Sequence, residues 1–345
     1  MMQSTDLIQF LGEQEGRRLR PLRVEDVTTT DDPRSRSRSV LHVQIEGRTC
    51  RPLETEEVVA RHPNGPRMRV VCDFLNRLVL PCCDESKPDG VYPIELHDSY
   101  TYGRSLGDTR TTTETDRDER SYANTLVFAR DRRHSHPVLF PDPFQITNYG
   151  GTTDRPDVVP WEKKKPVLFF AGTTTGNLDP TCNARVRACV WSLAHRDTTE
   201  FYLTRVAQMD AADLFARVPE SRRVVHDPVH FAHHHGYRAA FNVAGNTCSW
   251  SRVPAVLSSR SVLFDLHQRD MSWWYPALQD GTHYVSVRDV GDDLLREHAM
   301  VVSNKARCVS LCDAANKVAR DFTRSVHAAQ YAKHLFETAA FLNAP

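Results

Sequence analysis

The chain has 345 residues, which is enough for two domains of ordinary size. Its 44 lysines and arginines balance 44 aspartates and glutamates, and the pI is 7.3, so we expect no nucleic acid among its partners. The segment Met1–Leu7 has neither a basic start nor an apolar core, and no apolar stretch approaches the length of a membrane span. We therefore expect a cytoplasmic chain with no signal peptide and no transmembrane helix.

The nine cysteines include no CxxC pair. Cys308 and Cys312 are one helical turn apart, a spacing more typical of a shared buried face than of a metal site. The cysteines therefore indicate reduced thiols in a cytosol-like compartment.

The first part of the chain contains few clear elements. Residues 28–39 and 103–120 are polar and poor in apolar side chains, which predicts loops. Met68–Leu80 is apolar enough for a buried strand or a short helix, and its periodicity does not decide between them. Thr125–Phe128 predicts a strand.

Strands and helices alternate after a loop-like stretch at residues 154–160, which is a candidate domain boundary. The predicted strands are Val167–Phe170, Phe201–Leu203, Ala239–Phe241, Val262–Phe264 and His283–Val285. The predicted helices are Cys189–Ala194, Val253–Ser258, Ala314–Phe322 and Ala328–Phe341. Such alternation predicts a parallel sheet, whose ligands bind beyond the carboxyl ends of the strands.

A loop of small residues, Asn242–Arg252, precedes one of these helices and ends in an arginine. A glycine lets the backbone approach an anion, and arginine adds a permanent forked charge, so the loop suits the diphosphate of a sugar nucleotide. Small residues before a helix also serve simply as a turn and cap.

Three blocks of the chain resemble glycosyltransferase family 90, which includes protein O-glucosyltransferases and capsule xylosyltransferases. They are Lys165–Gly176, Asn242–Arg252 and the run from Asp270 to Val287, which contains Trp-Tyr-Pro and His-Tyr-Val. A weaker match over residues 92–151 includes Ile94–Asp98 and Phe140-Pro141-Asp142. The resemblance extends over residues 92–340 and does not include the first ninety.

The resemblance implies an α/β fold of the GT-B type, in which two Rossmann-like domains face a cleft. Residues 1–157 would form the acceptor-side domain and 158–325 the nucleotide-sugar domain, with 326–345 as a helix that packs back on the first domain. The implied activity is inverting transfer of xylose or glucose from a UDP-sugar to a hydroxyl of a glycan or protein acceptor.

The alternative is a non-catalytic relative that binds a nucleotide-sugar or a glycan. Two departures favour it, because Ala171 and Ala244 stand where the family usually has an arginine and an acidic residue.

Asp98 matches the family's catalytic aspartate, so the resemblance implies that it is the general base. Glu95 and His97 are the local competitors, and alternation would put them on the opposite face if the strand extends so far. Arg252 and Arg185 would neutralise the diphosphate, with Arg187 close enough in register to be the true counterpart of Arg185.

The remaining donor contacts are expected through the backbone more than through side chains. They come from the two loops and comprise Gly172, Thr173, Gly245, Asn246, Thr247, Cys248 and Ser249. The aromatic cluster Trp273-Trp274-Tyr275 could stack on a sugar but is more typical of a core.

Two sequence patterns resemble metal sites. Asp116-Arg117-Asp118 fits the DxD pattern of metal-dependent glycosyltransferases, but it lies in a charge-rich loop. His233-His234-His235 follows His230, although adjacent histidines rarely reach one ion. The sequence therefore predicts no metal and no other cofactor, and a metal-dependent transferase that uses Asp116 and Asp118 is the third hypothesis.

Overall fold

Two five-stranded sheets organise the chain. The computed structural model describes residues 3–23, 40–83, 89–98, 124–133, 137–147, 157–266 and 269–342. The first sheet has the order β2-β1-β3-β4-β6 and consists of β1 (Val40–Glu46), β2 (Thr49–Pro52), β3 (Gly90–Glu95), β4 (Leu126–Val127) and β6 (Val138–Leu139). The second has the order β12-β10-β9-β7-β8 and consists of β7 (Lys165–Thr173), β8 (Thr199–Arg205), β9 (Tyr237–Asn242), β10 (Val262–Leu266) and β12 (Val285–Val287). β5 (Arg130–Asp131) pairs with β11 (Asp270–Met271).

Ten α-helices lie within the described residues. They are α1 (Ser4–Gly16), α2 (Glu56–Arg61), α3 (Gly65–Phe74), α4 (Pro143–Thr147), α5 (Ala184–Ser192), α6 (Ala211–Arg217), α7 (Arg252–Leu257), α8 (Asp292–Val302), α9 (Lys305–Phe322) and α10 (Ser325–Leu342).

The predicted α/β fold with two Rossmann-like units is confirmed. Every strand pair of the second sheet is parallel, and the apolar runs predicted as strands form it, the last shifted two residues to Val285–Val287. The first sheet is mixed, since β1 pairs antiparallel with β2 and β3 while β3, β4 and β6 run parallel.

The apolar stretch Met68–Leu80 is helical. α3 begins with a proline in its first turn, continues into a π-helical turn at Leu75–Val79, and ends in a 3₁₀ turn. Its buried residues Met68, Val71 and Leu75 recur three or four apart, as on one helical face. The loops predicted at residues 28–39 and 103–120 lie outside the described residues.

The last helix packs against the first. A Cβ added at Gly12 would lie 2.7 Å from the Tyr331 carbonyl oxygen, and one at Gly16 would lie 2.4 Å from that of Leu335. Since only glycine leaves room for this approach, the two glycines set the contact between α1 and α10. The Tyr331 hydroxyl also donates to the Leu139 carbonyl of β6 at 2.8 Å, which ties α10 to the first sheet.

The described residues form two hydrophobic cores. One lies against the second sheet and includes Phe170, Phe201 and Phe241, and the other extends across both halves. Trp273 joins the halves in this larger core, because its indole N–H donates to Gln145 at 2.7 Å while its ring stacks on Tyr331 at 4.3 Å. Trp274 and Tyr275 are also buried.

All nine cysteines are free thiols, and Cys308 and Cys312 are both buried. Within the described part of the chain, no helix combines the length and apolar character that crossing a bilayer requires.

Candidate active site

The loops that follow β7 and β9 meet at the carboxyl edge of the second sheet. Asn183 caps α5 by accepting from the amides of Arg185 and Val186, and its side-chain amide donates to the carbonyls of Thr174 and Asn177 at 2.9 and 2.8 Å. This one residue therefore fixes the loop after β7 against the start of α5.

Arg185 points from α5 into the space between the two loops. Its Nη1 donates to the Thr173 carbonyl at 3.1 Å and to the Thr175 hydroxyl at 2.6 Å, while Nε donates to the Val243 carbonyl at 3.2 Å. Only 8% of the residue is exposed, so its guanidinium is held in one place by neutral oxygens. Arg187, the competing candidate, is exposed on the same helix.

Arg252 begins α7 and reaches the end of β7. Its Nη2 donates to the Ala171 carbonyl at 2.5 Å, Nη1 lies 3.5 Å from Asn242 Oδ1, and the guanidinium carbon lies 4.6 Å from the centre of the Phe170 ring. The Asn242 amide in turn donates to Asp265 at 2.7 Å. The arginine is therefore held at the edge of the sheet, and Asn242 links it to Asp265.

Among the described residues, the hydrogen-bond partners of the two guanidinium groups are all neutral oxygens. Across the ranges that the structure describes, no carboxylate lies within ion-pair distance of Arg185 or Arg252. Burial lowers the pKa of both groups, and the charge of Arg252 lowers that of Arg185 further. Arginine nevertheless stays protonated in proteins, so an anion at this edge would be strongly favoured.

The glycines of both loops lie against these arginines. A Cβ on Gly172 would lie 2.9 Å from Arg252 Nη2, and one on Gly245 would lie 2.8 Å from Arg185 Nη2 and 2.5 Å from the Thr175 hydroxyl. Any larger residue would displace a guanidinium, which explains why glycine suits both positions.

Asp98 lies three residues beyond the end of β3 and faces these loops. Its Oδ2 accepts from Asn246 Nδ2 at 2.8 Å, and its Oδ1 accepts from Arg67 Nη2 at 2.8 Å. Asn246 Oδ1 accepts from the Gly176 amide at 3.1 Å. Asn246 therefore joins the carboxylate to both loops of the second half.

The two competitors of Asp98 have other roles. β3 ends at Glu95, which is 2% exposed and accepts from the His97 amide at 2.9 Å. His97 Nδ1 lies 3.0 Å from Asn64 Nδ2, and burial, helped by the charge of Arg67, lowers the pKa of His97 although Asp98 opposes this. Asp98 is linked to the loops of the second half through Asn246.

The other predicted contact residues belong to the same two loops. Thr247 and Cys248 are buried, and Ser249 is partly buried. Thr247 Oγ1 donates to Cys248 Sγ at 3.9 Å, and the Gly245 amide donates to the Thr247 carbonyl at 3.2 Å, which tightens the turn. Thr173 faces the site with its carbonyl, which accepts from Arg185.

A cavity of about 200 Å³ opens beside Arg252 on one face of the second sheet. Its walls are mostly apolar, with a few polar groups, and include Phe169, Phe170, Thr204, His230 and Val256.

The metal-like patterns do not assemble a site in the part of the chain that is described. His233-His234-His235 lies in a 3₁₀ turn, with the His233 ring 5.2 Å from that of Phe169. No group of three histidine, cysteine or acidic side chains there is arranged to hold an ion. Asp116 and Asp118 lie outside the described residues.

Sequence reasoning missed Arg67 and Thr175. Arg67 precedes Asp98 by 31 residues and lies before the region of family resemblance, so no local pattern relates the two. Thr175, in contrast, stands in the Thr173-Thr174-Thr175-Gly176 run of the first block, whose hydroxyls were visible in the sequence.

No protein-family model and no curated protein matches the chain. Among solved structures, a glycosyltransferase from Rickettsia africae superposes with a TM-score of 0.41 at 6% identity, covering 68% of this chain and 69% of that one. The GtfA/B complex superposes with a TM-score of 0.36 at 13% identity, covering 74% of this chain and 51% of that one. Similarity at this level assigns no activity to the chain.

Proposed function

We propose that the protein is an inverting glycosyltransferase that moves xylose or glucose from a UDP-sugar to a hydroxyl of a glycan or protein acceptor. The observation that carries this proposal is the hydrogen bond between Asn246 and Asp98, which places a carboxylate beside the loops that hold Arg185 and Arg252. A carboxylate suited to accept a proton and two arginines suited to bind an anion would therefore act side by side. The resemblance to family 90 supplies the sugar and nucleotide classes.

Arg185 and Arg252 would bind the diphosphate of the donor. As the bond between the anomeric carbon and the phosphate oxygen breaks, negative charge grows on the departing UDP, and fixed guanidinium groups stabilise it. Both side chains are already held by carbonyl oxygens, so little reorganisation is needed during the reaction.

Asp98 would accept the proton of the acceptor hydroxyl. The hydroxyl oxygen forms its bond to the anomeric carbon on the face opposite the leaving UDP, which inverts the configuration there, while the proton passes to the carboxylate. An ionised carboxylate offers about four lone-pair positions, so the two hydrogen bonds that Asp98 accepts leave room for the acceptor.

The cavity beside Arg252 would receive the nucleoside of the donor. Its walls, including Phe169 and Val256, suit a flat ring, and Thr204 and His230 offer hydrogen-bonding groups. In this proposal residues 1–157 form the domain that binds the acceptor, and residues 158–325 form the domain that binds the donor. Residues 326–345 pack back on the first domain. No metal or other cofactor takes part, since the two arginines supply the positive charge.

The test compares two arginines of the same helix. Arg185→Ala should weaken UDP binding by about 10- to 100-fold in isothermal titration, the scale for removing a charge-assisted contact. Arg187→Ala is the matched control, because Arg187 lies two residues away and is exposed. Equal UDP affinities for the two variants would remove Arg185 from the donor site.

A second candidate is a nucleotide-sugar-binding protein without catalysis. Beside Ala171 and Ala244, the structure adds one observation in its favour, that both carboxylate oxygens of Asp98 already accept hydrogen bonds. Slow hydrolysis of UDP-glucose or UDP-xylose distinguishes the two, because a transferase releases UDP in the absence of acceptor whereas a pure binding protein does not.

A further inference from the structure

Arg67 donates two hydrogen bonds to the segment that contains Asp98. It is the third residue of α3, and its Nη1 donates to the Leu96 carbonyl at 2.7 Å while its Nη2 donates to Asp98 Oδ1 at 2.8 Å. One planar guanidinium therefore holds both the backbone and the carboxylate of this segment. Because the two donors belong to one rigid fork, the carboxylate cannot rotate without losing a contact.

The same guanidinium also contacts the second half of the molecule. Its central carbon lies 5.2 Å from the centre of the Trp250 ring, within the range of a cation–π contact. Trp250 is itself fixed by Phe128, whose ring lies edge-on at 5.7 Å. Trp250 belongs to the loop that contains Asn246, so Arg67 and Asn246 constrain Asp98 from two directions.

The side chains of Arg67 and Asp98 are about one-quarter exposed, at 25% and 27%. Partial burial makes the ion pair more effective than one on an open surface, and open space remains for a ligand at the carboxylate. Arg67 occupies Oδ1, which leaves Oδ2 as the oxygen that Asn246 and an incoming hydroxyl would share.

We propose that Arg67 is a positioning residue for Asp98: it fixes the carboxylate so that Oδ2 faces the acceptor hydroxyl. The inference rests on the proposed function, in which Asp98 is the base. It assigns a role to one of the first ninety residues, a region where the sequence shows no family resemblance.

The test is a double-mutant cycle on turnover with a UDP-sugar. Arg67→Met should lower kcat by about 10- to 100-fold, the scale of a misplaced catalytic group, and leave the UDP dissociation constant within about twofold of wild type. Arg67→Lys should recover part of the loss, because lysine keeps the charge but not the fork. Arg61→Met is the control, since Arg61 is exposed and forms an ion pair with Glu57 one turn away in α2.

The cycle also requires the single variant Asp98→Asn and the double variant that combines Asp98→Asn with Arg67→Met. If Arg67 acts through Asp98, the double variant is no slower than Asp98→Asn alone. Two results would overturn the positioning role alone. One is a double variant whose loss of kcat equals the product of the two single losses. The other is wild-type kcat for Arg67→Met while Asp98→Asn is inactive. Wild-type kcat for Asp98→Asn would overturn both this inference and the proposed base. Thermal unfolding of each variant identifies any that fails to fold, and Arg67→Lys then completes the cycle.

Discussion

Replacing Gly245 with alanine should weaken UDP binding by about tenfold without unfolding the protein. The added Cβ would lie 2.5 Å from the Thr175 hydroxyl, and 2.8 and 3.0 Å from two atoms of the Arg185 guanidinium. Ordinary contacts begin near 3.4 Å, so these groups must move by about half an ångström or more. Arg185 cannot yield freely, because it donates to Thr173, Thr175 and Val243. Such overpacking costs about 1–3 kcal/mol of stability unless Arg185 moves aside. If the displaced Arg185 loses about 1.4 kcal/mol of its interaction with the diphosphate, UDP affinity falls by a factor of ten.

Isothermal titration with UDP gives the affinity, and a thermal melt separates local displacement from lost stability. Gly236→Ala is the matched control, since a Cβ there would meet nothing within 4 Å. The control should bind UDP as wild type does. Wild-type affinity in Gly245→Ala would refute the reasoning, because a displaced Arg185 would then make no difference to the anion site.

Three further predictions follow from the site and the core. Asp98→Asn should lower turnover about 100-fold while UDP affinity stays near wild type, and weakened UDP binding at unchanged turnover would contradict the base assignment. Activity should survive excess EDTA, whereas complete inactivation that manganese reverses would favour a metal-dependent transferase. Burial lowers the pKa of His298 from 6.5 to about 4, so the unfolded chain takes up the proton first as the pH falls. The stabilisation is therefore complete above about pH 6.5 and is lost toward pH 4, by about 2 kcal/mol between pH 7.5 and pH 5. Denaturant titrations of wild type and His298→Leu at these two pH values should show the smaller change in the variant, and equal changes would refute this assignment.

The second half of the fold is the part that local sequence predicts well. Strands buried on both faces of a parallel sheet appear as short apolar runs, and Val262–Phe264 lies within the strand Val262–Leu266 for this reason. The first half gives weaker local patterns. α1 has a modest apolar face, and its packing depends on Gly12 and Gly16, whose i,i+4 spacing signals a close helix contact only once α10 is in place.

The site residues likewise include some that local sequence predicts and some that it does not. Gly245, Asn246 and Arg252 follow one another in a single block, so the sequence could propose them together. The contact between Arg67 and Asp98 could not be predicted, because the end of α3 and all of β3 lie between the two residues along the chain. Contacts of this kind depend on how the elements pack, which neither periodicity nor local composition reports.

The most direct test of the account measures UDP released from UDP-xylose and UDP-glucose by the wild-type protein and by Asp98→Asn, in the presence of EDTA. We expect the wild-type protein to release UDP from at least one of the two donors, faster when a suitable acceptor is added, and Asp98→Asn to release about 100-fold less. Tight UDP binding without release from either donor would contradict the account and identify the protein as a nucleotide-sugar-binding relative without catalysis.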